Sequence, residues 1–337
     1  MSLLEVRNLT VGVPKAAAPI LRDVALRVEP GEIVGLVGES GSGKSMASYA
    51  IMGILPGGVR MHGGTIAVDG ADLTRSRRRS VDGRIAMIFQ NPKAALNPLM
   101  RVGDQVARMV HIHQQLRHQQ FRHQQLDHQG VGQQGLSHQG VGRKAAGAQA
   151  IALLRRVGIP GADRVARAYP HQLSGGMCQR IMISMALASR PRVLIADEPT
   201  TALDVTVQAQ IFDLVRELVA ETGCGGLFIT HDLAVVAEMC DRTMVLYGGQ
   251  VMEEAPTAKL FAEPTHPYTR YLFEAADRDV DLTADHGAVD LTSPGCRFAP
   301  HCALVSPACT AVPPALPVAP GHTVACFHPD GERHAVA

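Results

Sequence analysis

The chain contains no uninterrupted run of about eighteen apolar residues, the length a helix needs to cross a bilayer, so no membrane span is expected although 46% of its 337 residues are hydrophobic. The opening Met1-Ser2-Leu3-Leu4-Glu5 lacks a basic segment followed by an apolar stretch, and no secretory signal is expected from it. Tryptophan is absent, aromatic residues make up 4% of the chain, and none precedes Tyr49. The first part of the sequence therefore has no aromatic ring on which a planar ligand could stack. Charge of one sign is also missing. With 32 Lys and Arg against 31 Asp and Glu, the formal net charge is +1, which gives no electrostatic footprint for nucleic acid. The basic run Arg75-Ser76-Arg77-Arg78-Arg79 reads as a solvated face. The length suits a domain of roughly 250 residues with a smaller appendage.

What is present begins with a phosphate loop. Ile33 to Val37 is a short apolar run of strand type, followed by Gly38-Glu39-Ser40-Gly41-Ser42-Gly43-Lys44-Ser45, which fits G-x-x-x-x-G-K-[ST]. In such a loop the glycines let backbone N–H groups curl around phosphate oxygens and the next helix presents its positive end. Lys44 reaches the β and γ phosphates, and Ser45 ligates Mg²⁺. A second apolar run, Val193-Leu194-Ile195-Ala196, ends in Asp197-Glu198. A buried parallel strand carries ligands beyond its carboxyl end, so both acids are expected at the phosphates. There Asp197 would hold Mg²⁺ and Glu198 would orient and deprotonate the attacking water.

Leu173-Ser174-Gly175-Gly176-Met177-Cys178-Gln179-Arg180 precedes that strand. Ser174 is a good N-cap, and two glycines at the start of a helix permit close approach to an anion. This element, with the loop and the acidic strand, resembles ATP-binding cassette (ABC) proteins. The resemblance implies an α/β fold: a P-loop NTPase nucleotide-binding domain with an antiparallel β subdomain, a helical subdomain and a small Cys/Pro-rich C-terminal extension. It also implies that Gln90, after Ile85-Ala86-Met87-Ile88-Phe89, senses Mg²⁺ and water and links to membrane subunits. His231, after Gly226-Leu227-Phe228-Ile229-Thr230, would contact the γ phosphate, and Asp204 in Thr201-Ala202-Leu203-Asp204 would sit at a dimer seam. Two copies of the domain would pair head to tail, the Ser174-Gly175-Gly176 turn of one completing the site of the other. Two departures stand out. Cys178 occupies a position where the family often has a basic residue, so that a phosphate or seam contact would be lost. Val11-Gly12-Val13 offers no aromatic where adenine is usually stacked.

Periodicity organises the rest. Short strands are expected to flank the phosphate loop up to about Thr74, and Val207, Ile211, Leu214, Val215 and Leu218 recur at helical spacing. Thr243 to Glu253 reads as two strands around Gly248-Gly249, and alternating strand and helix argue for a mostly parallel sheet. The nucleotide domain is placed at residues 1–255, its helical subdomain at about 91–180, and a low-complexity His/Gln repeat insertion at 111–143. The repeat carries His113, His118, His123, His128 and His138. A step of five residues turns a helix by about 140°, so successive histidines share no face. The tract reads as a disordered repeat, with metal binding as the alternative.

Residues 256–337 form the expected extension. Thr265-His266-Pro267-Tyr268-Thr269 is followed by a proline-rich stretch holding Cys296, Cys302, Cys309 and Cys326, similar to the C-terminal extension of ATPases from oligopeptide, dipeptide and nickel importers. The spacing has no C-x₂-C knuckle of the usual zinc type. Reduced thiolates available to a metal are expected rather than disulfides. The resemblance implies a [4Fe–4S] cluster there, with zinc or unligated thiols as alternatives. It further implies ATP and Mg²⁺ as ligands, a second ABC ATPase and two transmembrane permeases as partners, and an extracytoplasmic substrate-binding protein acting indirectly. The chain would sit peripherally on the cytoplasmic face of the inner membrane. The competing reading is a soluble ABC ATPase of translation or DNA repair. Such proteins carry two cassettes or long coiled-coil or zinc modules, whereas this chain has one set of motifs and no heptad run.

Overall fold

The computed structural model describes residues 2–75, 83–128, 142–199, 205–277 and 289–329. In chain order the first elements are β1 (Leu4–Gly12), β2 (Leu21–Val28), β3 (Ile33–Val37), α1 (Lys44–Met52), β4 (Arg60–Val68), β5 (Ala71–Asp72) and β6 (Ile85–Ile88). There follow α2 (Pro92–Ala95), α3 (Val102–His128), α4 (Arg143–Arg156), α5 (Ala162–Val165), α6 (Gly175–Ser189), β7 (Val193–Asp197) and α7 (Val205–Thr222). The last are β8 (Gly225–Ile229), α8 (Leu233–Met239), β9 (Arg242–Tyr247), β10 (Gln250–Pro256), α9 (Thr257–Ala262), α10 (Pro267–Asp277), β11 (Leu316–Ala319) and β12 (His322–Val324). Two compact units result: Met1–Arg77 with Ile195–Glu198 and Gly223–Ala337, and Arg78–Leu194 with Pro199–Thr222. Asp204, His138 and all of the basic run except Arg75 lie outside the described residues.

The first unit holds two sheets. One has the order β2-β1-β4-β5 and is antiparallel throughout. Its buried face includes Leu4, Val6, Leu9 and Val11 of β1 and Ile66 and Val68 of β4, the alternation of a one-sided sheet. The other runs β11-β12-β10-β9-β3-β8 and continues into the Ile195–Asp197 part of β7. At its centre β3 lies parallel to both β8 and β9. Every residue of β3, β7 and β8 is buried, which accounts for their continuous apolar sequences and directs ligands to their carboxyl ends. The sheet is parallel only in part, because β9 and β10 form the expected hairpin, with φ of 53° and 74° at Gly248 and Gly249, and β12 and β11 add further antiparallel strands.

The C-terminal region belongs to this same unit, and β10 runs through the expected division at residue 255 to Pro256. Buried Glu253 of β10 accepts the backbone N–H groups of Thr265 and His266 at 2.8 and 2.9 Å and pairs with His322 Nε2 at 2.7 Å. Two arginines fasten the extension through main-chain carbonyls. Arg22 of β2 donates to Ser293 O at 2.7 Å and to Pro294 O and Gly295 O at 3.1 Å. Arg297, 1% exposed, donates to the carbonyls of Pro19, Ile20, Gly248 and Leu291.

The second unit is mainly helical. β6 and the first residues of β7 are neighbours, and Arg192 N donates to Arg84 O at 2.7 Å. α3, α4 and α6 bury Val110, Ala146 and Ala188 against Ala107, Met109 and Leu153. The first part of the His/Gln repeat departs from the disorder expected of it: α3, 27 residues long from Val102, runs on through it to His128. Its Gln, Leu and Arg are good helix formers, and the turns from Val102 to Val110 are anchored by buried valines, so nucleation is already met. Residues 129–141 lie outside the described residues.

Candidate nucleotide-binding site

β3 delivers the chain to the phosphate loop. At Gly38, φ is 148° and a Cβ would lie 2.1 Å from Leu246 O, so only glycine fits this close approach. Ser42 N closes a turn onto Glu39 O at 3.1 Å, and Gly43, at φ 104°, leads into α1. The free N–H groups of the first turn of α1 make this end a natural anion seat. Lys44, 6% exposed, donates to Gly38 O at 2.7 Å and Glu39 O at 2.8 Å. Ser45 Oγ donates to Asp197 Oδ1 at 3.2 Å, which brings together the two expected Mg²⁺ ligands. Glu198 follows in the left-handed region at φ 45°, its N–H on Ile229 O of β8 at 2.8 Å. From the end of β8, His231 Nδ1 meets Glu198 Oε1 at 3.0 Å. An ionised carboxylate only accepts, so Nδ1 donates in this contact.

Burial lowers the pKa of Lys44, opposed by Glu198, Asp197 and Glu39 in that order. Burial raises Asp197, aided by repulsion from Glu198 and opposed by the Ser45 hydrogen bond and by Lys44. Glu39 is raised chiefly by burial, against the Tyr268 hydroxyl and Lys44. Three carboxylates thus act on a single ammonium, an excess of negative charge that a divalent cation neutralises. Among the described residues no group of three or more His, Cys, Asp or Glu side chains is placed to hold a metal ion. Mg²⁺ keeps several waters and takes only one or two protein oxygens besides phosphate. The Ser45–Asp197 pair fits an ion that arrives with a nucleotide.

The second unit carries the remaining described candidates. Gln90 is exposed just beyond β6. Ser174 caps α6, its Oγ accepting from Met177 N at 3.3 Å. A Cβ at Gly175 would meet nothing within 4 Å, so the packing of this chain does not itself require glycine there; Gly176 is the next residue of α6. Cys178 corrects an expectation: it is fully buried, with Sγ 3.6 Å from Pro170 O, so the position faces inward and costs no surface contact. Val13, where an adenine-stacking ring was sought, is 47% exposed.

In the first unit, Cys296, Cys302, Cys309 and Cys326 line one small cavity with His266, Phe298 and His328. All four are free thiols. Backbone N–H groups of Leu304 and His328 donate to the sulfurs of Cys302 and Cys326 at 3.4 and 3.3 Å, and that of Phe298 to Cys296. Burial is the first cause raising the Cys296 thiol to about 11, with mutual repulsion from the other three adding to it. The four thiols share this cavity, but among the described residues no group of three or more such side chains is placed to hold a metal ion.

Residues 21–201 match the ABC transporter family. The chain belongs to that family and is an ABC-type ATPase. Residues 252–309 match the C-terminal region of oligopeptide/dipeptide transporters. Relatives include the oligopeptide transport ATP-binding protein AppD of Bacillus subtilis, 40% identical over 97% of this chain and 96% of its own length. The dipeptide transport ATP-binding protein DppD of Escherichia coli is 40% identical over 98% of this chain and 97% of its own. Among solved structures, a dimeric ATP-binding cassette in a post-hydrolysis state with ADP and Pi shares 25% identity over 75% of this chain and 98% of its own, with a TM-score of 0.58. A nucleotide-free cassette at 21% identity, covering 81% of this chain and 99% of its own with a TM-score of 0.61, confirms the ABC fold. Among the described residues no helix is long and apolar enough to cross a membrane.

Sequence reasoning missed the role of Tyr268, whose oxygen accepts the Glu39 N–H at 3.2 Å, and the anchoring by Arg22 and Arg297. The His-Pro-Tyr-Thr element was the available signal for Tyr268.

Proposed function

We propose that this chain drives the import of di- or oligopeptides by hydrolysing ATP beneath separate membrane permeases. The observation that carries the reading is the hydrogen-bonded Glu198–His231 pair beside Lys44 and the Ser45–Asp197 contact. Lys44 and the loop N–H groups take the β and γ phosphates, and Ser45 and Asp197, with Gln90, take Mg²⁺. Glu198 accepts a proton from water as its oxygen attacks the γ phosphorus and the bond to the β-bridging oxygen breaks, giving ADP and phosphate. His231 orients that carboxylate and, as an imidazolium whose two ring nitrogens both donate, gives its Nε2–H to the γ phosphate. The Ser174-Gly175-Gly176 turn and Asp204 serve a second ATPase subunit. The open space at Gly175 supports this, since a partner's phosphate can approach it. The peptide cargo rests on the names of the relatives and on the match of residues 252–309. No feature favours a role in translation or repair. Two permeases and an extracytoplasmic binding protein complete the system, and the chain docks peripherally on the cytoplasmic face of the membrane.

A cell lacking this chain should fail to grow on a tripeptide as its only source of a required amino acid, yet grow on the free amino acid. The wild-type chain should restore growth on the tripeptide, and Glu198→Gln should not. Undiminished peptide use in the deleted cell would overturn the reading.

Cys296, Cys302, Cys309 and Cys326 hold a [4Fe–4S] cluster in this proposal, supported by their shared cavity and the N–H donors on their sulfurs. When bound, such a group supplies a redox centre or a structural staple for a proline-rich segment. Anaerobically purified protein should contain about four iron and four acid-labile sulfide per chain. Colourless protein with one zinc would assign the cysteines to zinc instead.

A further inference from the structure

The His-Pro-Tyr-Thr element lies more than 200 residues beyond the phosphate loop in sequence, and yet its tyrosine touches that loop. Tyr268, near the start of α10, is fully buried. Its ring sits 4.5 Å from that of Tyr247 and 5.3 Å from that of Phe298. Its oxygen accepts the Glu39 N–H at 3.2 Å, and the hydroxyl also favours the ionised form of the Glu39 carboxyl. The Glu39 N–H and the Gly38 carbonyl belong to one planar peptide. That carbonyl accepts the Lys44 ammonium at 2.7 Å. Tyr268 therefore holds one edge of a rigid plane whose opposite edge carries the lysine of the phosphate loop.

Few other restraints act on that plane. Gly38 has no side chain, and its φ of 148° lies where only glycine is at ease. The Glu39 side chain is 8% exposed and its Oε1 is buried without a hydrogen-bond partner, so the carboxyl does not anchor the turn fully by itself. The oxygen of Tyr268 supplies the acceptor for the Glu39 N–H from a ring clamped by two aromatic neighbours.

We propose that Tyr268 is a positioning residue for nucleotide binding: by fixing the Gly38–Glu39 peptide plane it sets where Lys44 and the loop N–H groups stand for the phosphates. The C-terminal extension thereby tunes ATP affinity rather than water activation, which Glu198 and His231 perform. The inference rests on the reading that residues 38–45 hold the phosphates of ATP.

The test compares ATP dissociation constants and turnover for wild type, Tyr268→Phe, Phe298→Leu and Lys44→Ala. Tyr268→Phe keeps the ring and loses the hydroxyl. It should weaken ATP binding about five- to tenfold, the scale of one hydrogen bond, with kcat at saturating ATP within about twofold. Phe298→Leu loosens the aromatic packing but leaves the hydroxyl, and should change affinity by less than about twofold even where it lowers the melting temperature. Unchanged affinity in Tyr268→Phe alongside a clear loss in Lys44→Ala would overturn the inference while sparing the phosphate-loop reading. Unchanged binding in Lys44→Ala would instead remove that reading. Equal losses in Tyr268→Phe and Phe298→Leu would assign the effect to packing and also overturn the inference. In the unaltered protein, the Glu39 amide should exchange with solvent far more slowly than the Gly41 amide. Similar rates would show that the hydroxyl does not hold the plane.

Discussion

Replacing Arg297 with methionine removes the guanidinium and keeps much of the aliphatic stem. The bond to Gly248 O is buried, whereas those to Pro19, Ile20 and Leu291 are part-buried. A buried carbonyl left without a donor costs about 1–3 kcal/mol, and bonds whose carbonyls regain water cost about 0.5–1 kcal/mol each. Against this stands relief from burying a charge that has no ion pair among the described residues, Asp290 attracting it only weakly beside the burial penalty. Its pKa is depressed to about 10, first by burial and then by Arg22, and its Nε is buried without a partner. The balance is a loss of about 2–3 kcal/mol, a large share of a typical folding free energy of about 5–15 kcal/mol. Urea unfolding followed by circular dichroism should show an earlier transition, and limited proteolysis should cut first within residues 289–329. A loss below about 0.5 kcal/mol with unchanged proteolysis would refute the view that this arginine anchors the extension.

Glu198→Gln should abolish most ATP hydrolysis while leaving ATP binding near the wild-type level, because Lys44, Ser45 and Asp197 are untouched. Size-exclusion chromatography with ATP should then show an accumulated dimer, and unaltered hydrolysis would remove Glu198 from the role of base. Burial raises the Glu39 pKa in the folded chain, so the stability tied to its protonated form is full below the unfolded carboxylate pKa and is lost as pH rises through the folded value. Glu39→Gln should therefore raise the nucleotide-free melting temperature at neutral pH and have no such effect near pH 4. Thermal scans at the two pH values check this, and a gain of the same size at both would contradict it.

The nucleotide site was legible in the sequence where its chemistry is local. A phosphate loop must leave a strand and enter a helix, and Asp197 and Glu198 must end a buried strand, so neighbouring residues fix both motifs. The hydrogen bond between Glu198 and His231 was not legible, since the sequence placed each of them only at the phosphates and not against the other. Tyr268 and Arg297 were not legible, because Tyr268 acts on backbone 229 residues earlier and Arg297 on carbonyls up to 278 residues earlier, and no periodicity announces an acceptor for one amide or a donor to four carbonyls. Of the antiparallel half of the larger sheet, the β9–β10 hairpin was read from Gly248-Gly249, whereas β11 and β12 escaped because they are only four and three residues long and β11 contains Pro317. The helix through His113 to His128 was concealed by composition, since the repeat looks unable to order itself, whereas the turns before it are already packed.

The placement of β11 and β12 bears on how this chain behaves in a crowded cell. β10 would otherwise end the sheet with unpaired N–H and C=O groups, the template from which strands of different molecules pair. β12 covers it through Glu253↔Val324 and Glu254↔Thr323, and β11 then becomes the border. That border is short and carries Pro317 between exposed Leu316 and Val318, with Pro313, Pro314 and Pro320 nearby. Proline donates no hydrogen bond, so the extension exchanges an adhesive edge for one on which another molecule's strand cannot readily grow.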